Sequence, residues 1–200
     1  MTGPLVTITS PAAALMEDGI DTDVIFPARF LLRMDKAGLG ACLFADRPAQ
    51  SAALRRGDGR PVQIIFAGAQ FGCGSSREHA VWSLVDFGIR AVIAPSFGEI
   101  FAGNAARNGL AAIQLDRPRI ERLTMDSKAG DITIDLHAKT ITTSAGTIIT
   151  FDMPESDRQA LLNGWDEIDM MNAAHAHDIN LFEASYRDRR PWLFRGVDNG

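Results

Sequence analysis

The stretch Phe71-Gly72-Cys73-Gly74-Ser75-Ser76-Arg77-Glu78-His79-Ala80 joins a strand pattern to a helix pattern. The run Val62-Gln63-Ile64-Ile65-Phe66 before it predicts a strand, and apolar residues at helical spacing follow over residues 80–87. A strand that enters a glycine-rich turn and then a helix presents unpaired N–H groups at the helix start. That helix start and the planar guanidinium of Arg77 together favour the binding of a carboxylate or a phosphate.

The same residues also allow a purely structural interpretation. Ser75 and Glu78 have the spacing of a capping box, in which Ser75 caps the helix and Glu78 bonds back to the cap. Gly72 and Gly74 then only permit a tight turn. The stretch is not a Walker loop, a dinucleotide fingerprint or a nucleophile elbow, because the residues that those motifs need are not at the required spacing. Local chemistry therefore leaves helix capping and anion binding both open.

Strand and helix patterns alternate after this stretch. Residues 91–94 and 111–115 have the pattern of buried strands, and residues 97–108 between them have the pattern of a helix. This β-α-β-α-β order predicts parallel strands with right-handed crossovers. Further alternating segments predict an antiparallel meander, over residues 132–136, 140–143 and 147–151. We therefore expect one mixed α/β domain over residues 1–200, with a core over about residues 5–152 and a helical tail over about residues 153–200.

Other segments have weaker patterns. Residues 5–9 alternate and predict an opening strand, whereas residues 11–19 predict a turn-rich connector. Residues 21–27 predict a loop, and the polar residues 45–61 predict an exposed loop. The apolar residues 191–194 near the end of the sequence either pack on the body or meet a partner.

Length, composition and charge point to a globular protein. The 200 residues are 46% apolar and carry a net charge of −5, a composition ordinary for a globular domain. The acidic balance argues against binding to nucleic acid, which usually needs a basic patch. No apolar run approaches the length of a membrane span, and the first residues lack the pattern of a secretory signal. We therefore expect a cytoplasmic protein that binds neither nucleic acid nor membrane.

Cysteine usage limits the metal chemistry of this chain. Cys42 and Cys73 are the only cysteines, and they do not form a Cys-x-x-Cys motif. An iron–sulfur cluster usually needs several cysteine ligands, so the sequence predicts no cluster and no metal site in this chain alone. Cys73 lies near the predicted helix start, where thiols are often reactive, which keeps a thiol enzyme as a further hypothesis.

Three ordered motifs resemble the aconitase superfamily. Residues 72–79 are similar to the signature of its swivelling domain, and Asp21-Thr22-Asp23-Val24-Ile25-Phe26-Pro27 resembles an early active-site loop. Residues 93–104 resemble the next strand-to-helix turn. The order and spacing are similar to those of stand-alone 3-isopropylmalate dehydratase small subunits over about residues 6–181. The resemblance implies a swivelling β/β/α fold with C-terminal helices.

The resemblance also implies a reaction and roles for individual residues. It implies the isomerisation of 2-isopropylmalate and 3-isopropylmalate through dehydration and rehydration, in leucine biosynthesis. Ser75 would be the base, acting as an alkoxide, and Arg77 would grip a substrate carboxylate beside Ser76 and Asp23. A separate large subunit would carry a [4Fe–4S] cluster, so this chain would need that partner for turnover. His79 would be structural, because the acid–base histidines of the family lie on the other subunit.

Substrate choice depends on a loop that the resemblance places against the distal group of the substrate, over residues 28–36. Leu32 and its apolar neighbours would surround an isopropyl group, whereas an inward-pointing Arg33 would favour a second carboxylate, as in homoaconitate. The threonines common in the family around residues 34–37 are missing here, and residues 169–172 depart from the family's Gly-Leu-Thr-Leu. Acids of the homoaconitate and of the 2-methylmalate or dimethylmalate type are therefore alternatives. From another class, a non-catalytic carboxylate-binding module is the alternative.

Overall fold

Two sheets and a set of helices make up the fold, in a computed structural model that describes residues 3–32, 35–75 and 77–194. The strands are β1 (Thr7–Ser10), β2 (Ala12–Leu15), β3 (Ile64–Ala67), β4 (Ala91–Ala94), β5 (Ala111–Gln114), β6 (Ile132–Asp135), β7 (Thr140–Thr143) and β8 (Ile148–Thr150). The α-helices are α1 (Thr22–Ile25), α2 (Pro48–Ala53), α3 (Glu78–Phe87), α4 (Glu99–Arg107), α5 (Arg117–Asp126), α6 (Glu155–Asn163) and α7 (Glu167–Arg189). Short 3-10 helices cover Ala28–Phe30, Leu39–Cys42, Ser127–Ala129 and Pro191–Leu193.

One sheet is parallel and has the strand order β2-β3-β4-β5. Strands β3 and β4 are buried along their whole length, as is typical of parallel strands that are covered on both faces. Helix α3 connects β3 to β4, and α4 connects β4 to β5, so the predicted β-α-β-α-β unit is confirmed. The carboxyl ends of these strands lie at one edge of the sheet, and the loops that leave them are neighbours.

The other sheet is antiparallel and has the strand order β1-β6-β7-β8. Strands β6 to β8 form the predicted meander, and β1 pairs with β6. Side chains from this sheet, among them Ile8, Ile134 and Ile141, pack with Phe66 and Ile93 from the parallel sheet in one apolar cluster. Helix α3 packs against the residues of the parallel sheet in a second cluster. The predicted mixed α/β fold is therefore confirmed.

Three segments differ from the sequence prediction. Residues 21–27, predicted as a loop, contain the single-turn helix α1 because the Asp21 side chain caps its first turn. Residues 12–15 form β2 instead of a connector, because pairing with β3 sets Ala12 opposite Ile64 and extends the sheet. The segment itself, Ala-Ala-Ala-Leu, has no β-branched or aromatic side chain that would have indicated a strand. The exposed loop predicted over residues 45–61 is also partly wrong, because it contains α2 and the fully buried Leu54.

The C-terminal helices differ in how they meet the rest of the fold. In α6, Ala160 and Leu161 are buried, whereas side chains along α7, such as Phe182 at 60% exposure, face solvent. The predicted alternatives for residues 191–194 both stay open. The Phe194 ring meets the Tyr186 ring at 6.2 Å and the Arg187 guanidinium at 5.0 Å, both in α7, while Trp192 stays exposed. Over the described parts of the chain, no helix combines the length and apolar character needed to cross a membrane.

Asp126 ties the end of α5 to the turn between β7 and β8. Its carboxylate accepts a hydrogen bond of 2.6 Å from Thr147 Oγ1 and one of 3.2 Å from Arg122 Nε. These bonds, that of Thr147 above all, lower the pKa of Asp126 below its usual 3.8. Since the pKa is lower in the folded state, the carboxylate stabilises the fold above the unfolded-state pKa, and this contribution is lost as pH falls through the folded-state pKa.

We therefore expect Asp126→Asn to lower the free energy of unfolding at neutral pH, with a difference from the parent that shrinks below about pH 4. Urea unfolding of both proteins between pH 7 and pH 3 measures the difference. Asp131→Asn, at an exposed position, controls for the removal of one carboxylate. A difference for Asp126→Asn that is constant across this range would contradict the assigned role.

Candidate active site

The three sequence motifs meet at the carboxyl edge of the parallel sheet. The glycine-rich loop leaves β3, and the loops that leave β2 and β4 lie beside it. Single pairs of residues continue the sheet beyond the strands, with Asp21 beside Cys73 and Phe71 beside Phe97. Open sheets of parallel strands commonly bind ligands outside this edge.

A cleft of about 250 Å³ opens between these loops. Ser75 and Arg77 of the glycine-rich loop line it, as does Thr22 of the second motif. The first turn of α4 contributes Glu99, and its next turn contributes Asn104. The cap residue Gly98 and the first turn of α4 line the cleft, so the unpaired N–H groups at the positive end of this helix lie beside it, together with the Glu99 carboxylate.

Ser75 does not cap α3. The helix begins at Glu78, and its cap residue is Arg77, which has an extended backbone with φ −139° and ψ 102° and no side-chain cap bond. The predicted capping box between Ser75 and Glu78 is therefore wrong. Glu78 instead accepts a hydrogen bond of 2.8 Å from Asn108 Nδ2. The Ser75 side chain is exposed and lines the cleft, where it is available for chemistry.

Glycines allow the loop to approach α4 closely. Gly72 and Gly74 have φ values of +72° and +90°, which other residues rarely adopt. A Cβ atom on Gly72 would also lie 2.3 Å from Cγ of Phe101 in α4. Likewise, a Cβ on Gly98 would lie 2.3 Å from the carbonyl oxygen of Gly72. Larger residues at Gly72 or Gly98 would force the loops apart and widen the cleft.

Arg77 forms an ion pair with Asp23, which lies in the first turn of α1. The Arg77 side chain is 17% exposed and that of Asp23 is 51% exposed, so the guanidinium is the more sheltered partner. Asp21 holds α1 in place, because its Oδ1 accepts a hydrogen bond of 2.7 Å from the N–H of Val24. The contact to Asp23 uses Nη1, and a guanidinium carries further N–H groups with which it can bind a planar carboxylate.

Thr22 makes two hydrogen bonds to the glycine-rich loop that the sequence did not predict. Its hydroxyl donates a hydrogen bond of 2.7 Å to the carbonyl oxygen of Ser75, 53 residues away in the sequence. Its backbone N–H donates to the carbonyl oxygen of Cys73 at 3.0 Å. The sequence placed Thr22 in the second motif, between two acidic residues, but did not show which loop its hydroxyl meets.

The remaining predicted substrate contacts are Arg33, Ser76 and Leu32. Arg33 and Ser76 lie outside the described residues, so their contacts with substrate stay predictions. Leu32 is 93% exposed and is not among the described residues that line the cleft. Its predicted contact with an isopropyl group therefore also stays a prediction.

Neither His79 nor the two cysteines form a metal centre with other residues that the structure describes. The His79 ring packs between Phe26, at 5.7 Å, and Trp82, at 4.7 Å, which fits a structural role. Cys42 is buried in the core and Cys73 is partly exposed beside the cleft. Within residues 3–32, 35–75 and 77–194, no three His, Cys, Asp or Glu side chains are grouped so as to hold a metal ion. This donor set does not fit an iron–sulfur cluster, which takes several thiolates.

A larger cleft of about 520 Å³ lies elsewhere on the surface, between Trp82 and Trp165. Its wall includes Asp86 and Arg90 near the end of α3 and Lys36 of the loop over residues 28–36. Of the described residues with a predicted catalytic or substrate-binding role, none lines it. We assign the chemistry to the smaller cleft because, of the two, it contains both Ser75 and Arg77.

Comparisons with known proteins agree with this geometry. Residues 4–118 match the family described as the aconitase C-terminal domain. A 3-isopropylmalate dehydratase small subunit from Neisseria meningitidis serogroup B is 39% identical, over 94% of this chain and 97% of the relative. One from Rhodospirillum centenum is 40% identical, over 92% and 96%.

Among solved structures, a crystal structure of 3-isopropylmalate dehydratase from Methanocaldococcus jannaschii superposes with a TM-score of 0.67. It is 29% identical and covers 90% of this chain and 98% of that one. The matched region contains both the second motif and the glycine-rich loop that line the cleft. The chain therefore belongs to the aconitase C-terminal domain family and, within it, to the family of 3-isopropylmalate dehydratase small subunits.

Proposed function

We propose that this chain is the small subunit of a heteromeric hydro-lyase that interconverts 2-isopropylmalate and 3-isopropylmalate in leucine biosynthesis. The observation that carries the proposal is the cleft in which Ser75 and Arg77 stand together at the carboxyl edge of the parallel sheet. The names of the relatives support the choice of substrate. A cytoplasmic location is part of the proposal, because two unpaired cysteines favour a reducing compartment.

Ser75 is the proposed base. Its Oγ, as an alkoxide, would remove a proton from the carbon next to a substrate carboxylate, and would return a proton in the reverse direction. A serine hydroxyl is a very weak acid, so the site must stabilise the anion. Among the described residues that line the cleft, the guanidinium of Arg77 and the N–H groups at the positive end of α4 can do so. The start of α3, which the sequence suggested for this purpose, lies beyond Arg77.

Arg77 is the proposed carboxylate clamp. Two parallel N–H donors of a guanidinium match the two oxygens of a carboxylate, which fixes orientation as well as position. The ion pair with Asp23 holds the guanidinium on one side and limits its freedom before substrate arrives. The proposed clamp and the proposed base are two residues apart on one loop, so a bound carboxylate would set the adjacent C–H against Ser75.

A large subunit is the proposed partner and the proposed carrier of a [4Fe–4S] cluster. The name "small subunit" of the relatives implies a larger partner, and this chain has too few cysteines to hold such a cluster itself. When bound, the cluster would accept the hydroxyl group that leaves the substrate. This chain would contribute the base, the carboxylate clamp and one wall of the site.

Assays of the assembled enzyme test which acid is the substrate. The chain and its cognate large subunit are combined without oxygen and offered 3-isopropylmalate, homocitrate and 2-methylmalate in separate assays. The unsaturated acid formed in each assay is followed by its ultraviolet absorbance. We expect selective turnover of 3-isopropylmalate. Preferred turnover of another acid would change the proposed substrate but keep the proposed reaction class. If a complex with an intact cluster turned over none of the three acids, the carboxylate-binding module would become the favoured function.

A further inference from the structure

Thr22 holds both carbonyl groups that flank the Gly74–Ser75 step. Its N–H donates to the carbonyl oxygen of Cys73 at 3.0 Å, and its hydroxyl donates to the carbonyl oxygen of Ser75 at 2.7 Å. A carbonyl oxygen can only accept, so the direction of the second bond is unambiguous. Two carbonyl groups of the loop, two residues apart, are therefore anchored to one residue of a neighbouring segment.

The loop needs such an anchor because of its own composition. Gly74 has φ +90°, and glycine reaches many other backbone conformations at little cost. Thr22 is a suitable anchor because the residue is only 3% exposed, which shelters its end of the bond from water. A β-branched residue also has few side-chain rotamers, so its hydroxyl stays in place. Asp21 fixes the backbone on which Thr22 stands by capping α1.

We propose that Thr22 is a positioning residue for Ser75: its hydroxyl fixes the peptide plane that follows Ser75 and thereby aims Oγ at the substrate. This inference rests on the proposed role of Ser75 as the base. Thr22 acts through Ser75, because its hydroxyl proton is committed to the Ser75 carbonyl. Misplacing a reacting group by about 1 Å can cost about 100-fold in rate, so the loss of this bond should affect the chemical step.

The variants Thr22→Val and Thr22→Ser distinguish the effect of the hydroxyl group from the effect of the rest of the side chain. Valine keeps the shape and removes the donor, whereas serine keeps the donor. We expect Thr22→Val to lower kcat of the assembled enzyme by about 10- to 100-fold and to leave KM within about twofold. Thr22→Ser should retain most of kcat. Thr124→Val is the matched control, since Thr124 Oγ1 makes a similar bond of 2.8 Å to the carbonyl oxygen of Ile120, within α5.

A kinetic isotope effect distinguishes positioning from loss of folded protein. The substrate is deuterated at the carbon that loses its proton, and kcat is compared with that for the ordinary substrate. If Thr22 positions the base, proton transfer slows in Thr22→Val and the isotope effect on kcat increases. A variant that is only partly folded would lose kcat with an unchanged isotope effect, which would overturn the proposal.

Two further outcomes would also overturn it: a kcat for Thr22→Val equal to that of the parent, or a Thr22→Ser variant as slow as Thr22→Val. The role of Ser75 is tested separately by Ser75→Ala. An inactive Ser75→Ala together with a fully active Thr22→Val would overturn the proposed role of Thr22 and leave the proposed role of Ser75 in place. An active Ser75→Ala would remove the proposed base, whatever Thr22→Val shows.

Discussion

Ser75→Ala is expected to lower kcat of the assembled enzyme by roughly 10³-fold or more, at the upper range of what a positioned base contributes. The reason is that no other side chain would replace Oγ against a carbon-bound proton, which is a poor acid. The Ser75 side chain is exposed and caps no helix, so its removal should leave thermal unfolding and subunit association unchanged. Turnover of 3-isopropylmalate, thermal melting and co-purification with the large subunit measure the three properties.

Ser156→Ala is the matched control for this substitution. Ser156 is also exposed, but it lies in the first turn of α6 and is not among the residues that line the cleft. Its replacement should leave turnover unchanged. If Ser75→Ala kept more than about a tenth of the parent kcat, a loss far smaller than that of a missing base, Ser75 would not be the base.

Arg77→Lys is expected to have the second largest effect, mainly on KM. Lysine keeps the charge but loses the planar fork that binds two carboxylate oxygens at once. A hydrogen bond to a charged group is worth about 1.5–3 kcal/mol, which corresponds to an increase in KM of about 10- to 100-fold. Steady-state kinetics with 3-isopropylmalate measure the change, and kcat should fall less than KM rises.

Arg119→Lys controls for the exchange itself, because Arg119 pairs with Asp116 at an exposed position at the start of α5. It should alter neither KM nor kcat. An Arg77→Lys enzyme with the parent KM would show that Arg77 is not the carboxylate clamp. Its ion pair with Asp23 would then have a structural role only.

The parallel sheet could be predicted because its central strands have clear signals. Strands β3 and β4 are short apolar runs, and each is followed by a glycine-containing turn and an amphipathic helix. Strand β2 could not be predicted in the same way, because Ala-Ala-Ala-Leu has little intrinsic strand preference. Its structure depends on pairing with β3, a segment about fifty residues further along the chain.

Two residues of the candidate site could be picked out from the sequence, whereas the backbone geometry around them could not. Ser75 and Arg77 stood out in the sequence, and the structure places both on one cleft. The backbone around them follows contacts from the second motif, with Thr22 bonded to Ser75 and Asp23 paired with Arg77, 53 and 54 residues away. These contacts accompany an extended Arg77, where a capping box would require helical backbone. A local sequence pattern contains no information about such distant partners.

The measurement that tests the central claim most directly is a titration of this chain into a fixed amount of the cognate large subunit, loaded with its cluster. The initial rate of unsaturated acid formation from 3-isopropylmalate is recorded at each step. We expect no turnover by either subunit alone and a rate that rises with added chain to a plateau, while added Ser75→Ala chain gives a complex without turnover. A large subunit that is fully active without this chain would contradict the claim that the cleft around Ser75 completes the active site.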